Sequence, residues 1–187
     1  GGNTTRSRAG LFVSITLIGE VPQNEMVRRT GGAVGDTLYV TGTLGDASAG
    51  VLPVGKKRSL PASLVLKQEM PKARWKEGRL LAKKQISSAM IDLSDGLSSD
   101  LGHLANQSGV GAELWADRIP ISSALKRYAK KIGADPLSYA LHGGEDYELL
   151  FSVPEKKQAL LERLIRSGQI QAGPIGKLIE RGAGLLI

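Results

Sequence analysis

Met90-Ile91-Asp92-Leu93-Ser94-Asp95-Gly96-Leu97-Ser98-Ser99-Asp100 carries the chain from an apolar strand into a helix, with two carboxylates at the changeover. Ile86 to Leu93 reads as a short buried strand. From Leu97 the apolar residues recur at Leu101, Leu104 and Ala105, the spacing of one helix face. Asp92 and Asp95 therefore flank a strand-to-helix turn. Carboxylates there suit a hard cation such as Mg²⁺, which takes a few acidic oxygens and completes its shell with water and substrate phosphates. The free amides of a helix's first turn attract anions, so a metal between carboxylate and phosphate would balance both. The competing reading is a plain helix cap by Ser94 or Asp95.

Around this turn the chain has the composition of a globular protein. Its 187 residues are 41% hydrophobic and 23% charged, enough for one sizeable core and part of another domain. No stretch approaches the roughly 20 apolar residues of a membrane span, and the first residues lack the pattern of a signal peptide. The expectation is a soluble cytoplasmic protein without membrane partners. With no cysteine, disulfide staples, zinc-thiolate sites and thiol catalysis are excluded. Of the net charge of +7, residues 56 to 84 carry more than the whole: ten Lys or Arg against Glu69 and Glu77. Such a segment attracts nucleic acid or phosphorylated small molecules. With Trp75 as its sole aromatic residue it lacks a base-stacking pattern, and the expectation is a solvated helical face with no nucleic-acid partner.

Along the chain, Val13, Ile15 and Leu17 alternate with polar residues as in a half-buried strand. Residues 21 to 36, with Pro22, Arg28, Arg29 and Gly31-Gly32, read as a domain connection. Strands are predicted at 37–42, 86–93, 112–115, 147–153 and 173–179, and helices after Gly45-Asp46 and near 60–69, 76–85, 97–108, 122–132 and 154–167. This interleaving is a mixed α/β order, an α+β mixed sheet with helices. Gly182 to Ile187 reads as the start of a hairpin without its second strand. The abrupt opening makes a fragment the expectation, with most of an upstream domain before Gly1 and a shortened C-terminal end.

A second constellation, Leu141-His142-Gly143-Gly144-Glu145-Asp146-Tyr147-Glu148-Leu149-Leu150, sets three acids beside a double glycine just before a strand. Glycines let backbone approach a ligand closely; the same residues also make ordinary turns. The Asp92 to Leu97 run, His142 to Phe151, the Gly35-Asp36-Thr37 to Gly42-Thr43-Leu44-Gly45-Asp46 segment and the opening Gly1-Gly2-Asn3-Thr4 together resemble the thiamine-monophosphate kinase family, within the aminoimidazole ribonucleotide synthetase superfamily.

That resemblance implies an ATP- and Mg²⁺-dependent enzyme that moves the γ-phosphoryl of ATP directly onto thiamine monophosphate, giving thiamine diphosphate. It implies a homodimer when full length. Residues 1–30 would end the N-terminal ATP-binding and dimerisation domain, and residues 31–187 would be most of the C-terminal α/β domain. Carried over position by position, Asp92 and Asp95 resemble the Mg²⁺ ligands, with Asp95 central to catalysis. Ser94, Gly2, Asn3 and Arg29 resemble ATP contacts, and a guanidinium fork suits phosphate oxygens. The family's Asp is Asn at position 3 in this chain, which offers a metal only a neutral oxygen. Glu145 resembles the acid that holds the thiamine moiety, with Asp146 and Glu148 as weaker candidates.

His142 is read as shaping its neighbours rather than as a base, since the acceptor phosphate is already ionised. Asp46 either shapes a phosphate-facing loop or caps a helix. His103, Trp75 and Trp115 are read as surface or packing residues. The resemblance also implies that these residues alone are not a competent kinase. Two other readings remain: another superfamily enzyme, of the aminoimidazole ribonucleotide synthetase or selenide water dikinase type, and a basic nucleic-acid-binding module. The second predicts affinity that falls steeply with salt and ignores Asp92 and Asp95.

Overall fold

Leu38-Tyr39-Val40 is buried on both sides of its strand, which puts that strand inside a layered domain. The computed structural model describes residues 10, 15–16, 18–51 and 60–186. Among these, β1 (Thr37–Thr41), β2 (Ala89–Asp92), β3 (Gly111–Leu114), β4 (Leu149–Val153), β5 (Ala172–Ile179) and β6 (Leu185–Leu186) form one sheet in the order β2-β4-β1-β5-β3-β6. Every neighbouring pair is antiparallel except β3 and β6. The helices are α1 (Asp46–Ala49), α2 (Ala62–Glu69), α3 (Trp75–Lys83), α4 (Leu97–Ser108), α5 (Ser123–Ile132), α6 (Pro136–His142) and α7 (Glu155–Arg166). The mixed α/β architecture is the one expected.

Strand periodicity sends alternate residues to opposite faces. Leu38, Val40, Ile91 and Leu150 pack with Leu97, Leu101 and Leu104 of α4 and with Ala140 and Leu141 of α6. Tyr39, Phe151 and Val153 pack on the other face with Leu81 of α3 and Leu161 and Leu164 of α7. Tyr39 and Phe151 are register partners, and their rings stack with centroids 5.8 Å apart. Each fully buried side chain of this size contributes roughly 1.5–3 kcal/mol. With both faces covered, the central strands read as continuous apolar runs rather than as an alternation.

The departures from expectation have local causes. Only Ala89–Asp92 of the 86–93 segment pairs as strand, because Ile86 closes the turn after α3, its N–H donating to Leu81 O at 3.0 Å. The 147–153 strand starts at Leu149, since Tyr147 has a left-handed φ of 50°. Helix α6 was not anticipated. Its start is nonetheless written in Asp135-Pro136: the Asp135 side chain accepts from Leu137 N at 2.9 Å, and proline occupies the first turn. The final segment, read as the first strand of a hairpin, forms the short strand β6 at the edge of the sheet beside β3. A 3-10 turn at Arg181–Ala183 carries the chain across to pair β6 parallel to β3.

The basic segment is not simply a wet face. Lys72, Lys76, Arg79, Lys83 and Lys84 are exposed, and Lys56, Lys57 and Arg58 lie outside the described residues. Lys67 and Arg74, however, turn inward to Glu148, which is 1% exposed. Arg74 grips it with two bonds, Nε to Oε2 at 2.6 Å and Nη2 to Oε1 at 2.8 Å; Thr41 Oγ1 donates at 2.6 Å and Lys67 Nζ at 3.2 Å. Glu148 is therefore structural: it ties α2 and α3 to β1. The strand read at 13–17 falls largely outside the described residues.

Candidate functional site

Asp92 ends β2 and Asp95 lies three residues on, both exposed. Neither caps α4. Gly96, with φ 103° and ψ 153°, is the residue before that helix and makes no side-chain cap. Buried Asp100, one turn inside α4, reaches back instead and accepts from the Ser94 and Asp95 N–H groups at 3.0 Å each. The turn is thus held by Asp100, and among the described residues neither the Asp92 nor the Asp95 carboxylate accepts a hydrogen bond or joins an ion pair. Burial raises the Asp100 carboxyl above its ordinary value. The donated N–H bonds pull it down, and the charges of Asp95 and Asp92 add to the rise.

The second motif is locked onto this turn. Glu145 N donates to Ser94 O at 2.9 Å, Tyr147 N to Leu93 O at 2.8 Å and Leu93 N to Glu148 O at 2.8 Å. A Cβ on Gly144 would lie 2.4 Å from Ser94 O, and one on Gly96 would lie 3.0 Å from the His142 carbonyl carbon. Glycine at 144 is therefore a condition of the two loops meeting. Gly144→Ala is expected to cost about 1–3 kcal/mol by forcing the backbones apart, read as a lower denaturation midpoint at unchanged m value.

Glu145 and Tyr147 have φ of 71° and 50°, and non-glycine residues there cost on the order of 1 kcal/mol each. Between them Asp146 is buried, its Oδ2 accepting from Gly45 N at 2.6 Å and its Oδ1 from Ala47 N at 3.2 Å. Burial pushes the Asp146 carboxyl up to about 6, against the pull of those two N–H groups; Asp46 raises it further and Lys67 lowers it. The Tyr147 hydroxyl donates to Glu145 Oε2 at 3.1 Å. Burial, that hydrogen bond and the charges of Glu145, Asp92 and Asp95 all raise the phenol's value. Glu145, Tyr147, Asp92 and Asp95 thus share one electrostatic neighbourhood.

Asp92 also lines a cleft of about 640 Å³, together with Arg28, Arg29, Met90 and Gln107 among others. Met90 N donates to Arg28 O at 2.9 Å, holding this segment along the edge of β2. Arg29 is exposed in that cleft. Ser94 is half-buried and its hydroxyl makes no hydrogen bond among the described residues. Gly2 and Asn3 lie outside the described residues.

Asp46 does not cap α1, whose N-cap is Gly45. It is buried, accepting from the hydroxyls of Thr43 and Ser122. His142 ends α6 and His103 is on α4, both exposed. Trp75 is exposed under the Lys76 ammonium, and Trp115 lies under the Arg118 guanidinium. Sequence reasoning gave Asp100 no role and ranked Asp146 low. An acid one turn inside a helix and an acid between two left-handed residues leave no pattern that spacing alone reveals.

Two exposed, uncommitted carboxylates at a turn suit Mg²⁺, which commonly takes one or two carboxylates and draws its other ligands from water and phosphate. Among the described residues no group of three or more acidic or histidine side chains forms a closed metal cage.

Residues 33–186 match the family described as AIR synthase related protein, C-terminal domain. A curated thiamine-monophosphate kinase from Aquifex aeolicus (strain VF5) is 38% identical over 177 residues, covering 92% of this chain and 56% of that one. Among solved structures, the thiamine-monophosphate kinase of Stenotrophomonas maltophilia K279a is similar with a TM-score of 0.77 at 34% identity, covering 89% of this chain and 54% of that one. AaThiL complexed with AMPPCP and TMP is similar with a TM-score of 0.72 at 36% identity, covering 86% and 50%. The chain spans about half the length of the curated relatives it matches.

Proposed function

We propose, from the premise that this chain belongs to the AIR synthase related protein family and carries its C-terminal domain over residues 33–186, that the full-length protein is an ATP-dependent kinase making thiamine diphosphate from thiamine monophosphate. The observation that carries the reading is the interlock of the Asp92–Leu97 turn with the Gly143–Tyr147 loop. It puts Tyr147 within the electrostatic reach of Asp92, Asp95 and Glu145, in a protein whose relatives bear this activity in their names. The relative holding AMPPCP and TMP supports ATP and thiamine monophosphate as the substrates.

In this reading a phosphate oxygen of thiamine monophosphate attacks the γ-phosphorus of ATP, the bond from that phosphorus to the β-γ bridging oxygen breaks, and ADP leaves. Little covalent work falls to the protein; its task is to position two polyanions and offset their repulsion. Asp92 and Asp95 would hold Mg²⁺, which when bound neutralises phosphate charge. Arg29 offers its guanidinium to ATP phosphates across the cleft it shares with Asp92, Ser94 offers its hydroxyl, and Gly2 and Asn3 complete the nucleotide contacts. Glu145 holds the cationic thiamine moiety, steadied by the Tyr147 hydroxyl.

Residues 1–30 belong in this reading to an N-terminal ATP-binding and dimerisation domain and residues 31–187 to the C-terminal domain. The full-length protein works as a cytoplasmic homodimer, and the 187 residues alone are inactive. Among the described residues no helix is long and apolar enough to cross a membrane.

Arg29→Ala in the full-length protein is expected to weaken ATP binding about tenfold, the loss of one charge-assisted phosphate contact, with thiamine monophosphate binding within about twofold. Isothermal calorimetry with each ligand measures both. Equal weakening of the two would remove Arg29 from the nucleotide side. Thiamine diphosphate formation that continues after exhaustive chelation of divalent cations would remove Mg²⁺ from the reading. A folded, ATP-binding protein that makes no thiamine diphosphate would move the assignment to another substrate of the superfamily.

A further inference from the structure

The Glu145-Asp146-Tyr147 turn concentrates three unfavourable features in three residues: left-handed backbone at 145, a buried carboxylate at 146 and left-handed backbone at 147. Conformational costs persist where the surroundings over-determine them, and they cluster at working sites. Here the surroundings can be named. On one side the Glu145 and Tyr147 amides are tied to Ser94 O and Leu93 O. On the other, both carboxylate oxygens of Asp146 take an N–H at the start of α1, from Gly45 and Ala47. Gly143 closes the clamp, since a Cβ there would lie 2.0 Å from Ser48 Oγ and 2.4 Å from Tyr139 O. Asp146 is 5% exposed, and its hydrogen bonds go to the Gly45 and Ala47 amides.

We infer that Asp146 is a positioning residue: it fastens the 143–148 loop to α1 and so sets the backbone angles at which Glu145 and Tyr147 stand beside Asp92 and Asp95. The inference rests on the kinase reading for the substrate that Glu145 meets. The clamp itself is independent of that reading. Cutting the two N–H bonds releases the left-handed residues, and Glu145 then points elsewhere while the β2 end of the metal turn stays paired with β4. The burial that raises the Asp146 carboxyl to about 6 fits a group kept for geometry at some expense to stability.

The experiment compares Asp146→Asn, Glu145→Gln and the double variant in the full-length protein. Asp146→Asn keeps the shape but presents an amide hydrogen to one of the two N–H donors. It is expected to raise KM for thiamine monophosphate at least about tenfold, with ATP affinity within about twofold, and to add nothing further in the Glu145→Gln background. Effects that multiply in the double variant, or an equal loss toward ATP, would overturn the positioning role.

Amide hydrogen exchange separates the clamp from the kinase reading. Asp146→Asn should accelerate exchange at Glu145 and Tyr147 at least about tenfold, with Leu150 and Phe151 of β4 unchanged. Unchanged protection at 145 and 147, or loss spread evenly into β4, would overturn the inference even in an active enzyme. Accelerated exchange in a protein that makes no thiamine diphosphate would uphold the clamp and sink the substrate assignment. If Asp146→Asn does not fold, Asp146→Ser takes its place in both measurements.

Discussion

Replacing Asp95 by asparagine in the full-length protein is expected to lower the rate of thiamine diphosphate formation at least about a hundredfold, ~3 kcal/mol of lost transition-state stabilisation. Asp95 is exposed and accepts no hydrogen bond among the described residues, so the fold does not depend on its charge. The turn around it is held by Asp100, through the Ser94 and Asp95 backbone N–H groups that asparagine retains. The thermal midpoint should therefore stay within about 2 °C of wild type, a change under 1 kcal/mol for a protein of this size. Raising Mg²⁺ should recover part of the rate if the loss lies in metal affinity. A variant with wild-type turnover would remove Asp95 from the site, and one that unfolds would make it structural.

The largest loss of stability is expected from Arg74→Ala. It leaves Glu148, 1% exposed, without the guanidinium that meets both its oxygens. Breaking a buried pair by removing one partner costs about 3–5 kcal/mol, a fall in thermal midpoint of roughly 6–20 °C. The pH dependence should change with it. In the wild type, burial raises the Glu148 carboxyl, but the hydrogen bonds from Arg74 and Thr41 and the charges of Arg74 and Lys67 outweigh this and hold it below its ordinary value. A carboxyl lowered in the folded state contributes stability above its unfolded value and loses it as pH falls through the folded one.

Without Arg74, burial dominates at Glu148 and the slope contributed by that group reverses, so the variant should gain more stability than the wild type on mild acidification. Denaturant titrations of both proteins at several pH values decide it. Parallel profiles would mean that Lys67 and Thr41 suffice to hold the charge.

Much of this molecule was legible beforehand, and particular residues show why. The apolar runs at Leu38-Tyr39-Val40 and Leu149-Leu150-Phe151 and the heptad-like spacing from Leu97 to Ala105 fall on the elements they predicted, because local pattern and burial agree there. Asp92 and Asp95 stood out by their spacing, and the structure leaves both exposed at the turn between β2 and α4. What stayed hidden was long-range pairing. Nothing local to Arg74 says that it faces Glu148, 74 residues away. Nor does Asp146 advertise its bonds to Gly45 and Ala47, 101 and 99 residues back. Helix α6 was missed for a different reason: its Asp-Pro start was readable, but seven residues are too few for a periodicity to register.

The interlock of the two loops also bears on how such proteins can diverge. Ser94 and Gly144 meet with no room for a methyl group between them, although nearly fifty positions of chain separate them. Descent that alters one loop must carry the matching change in the other. Gene shuffling between relatives would keep the site whole only if both loops, together with the first turn of α4 that carries Asp100, came from the same parent.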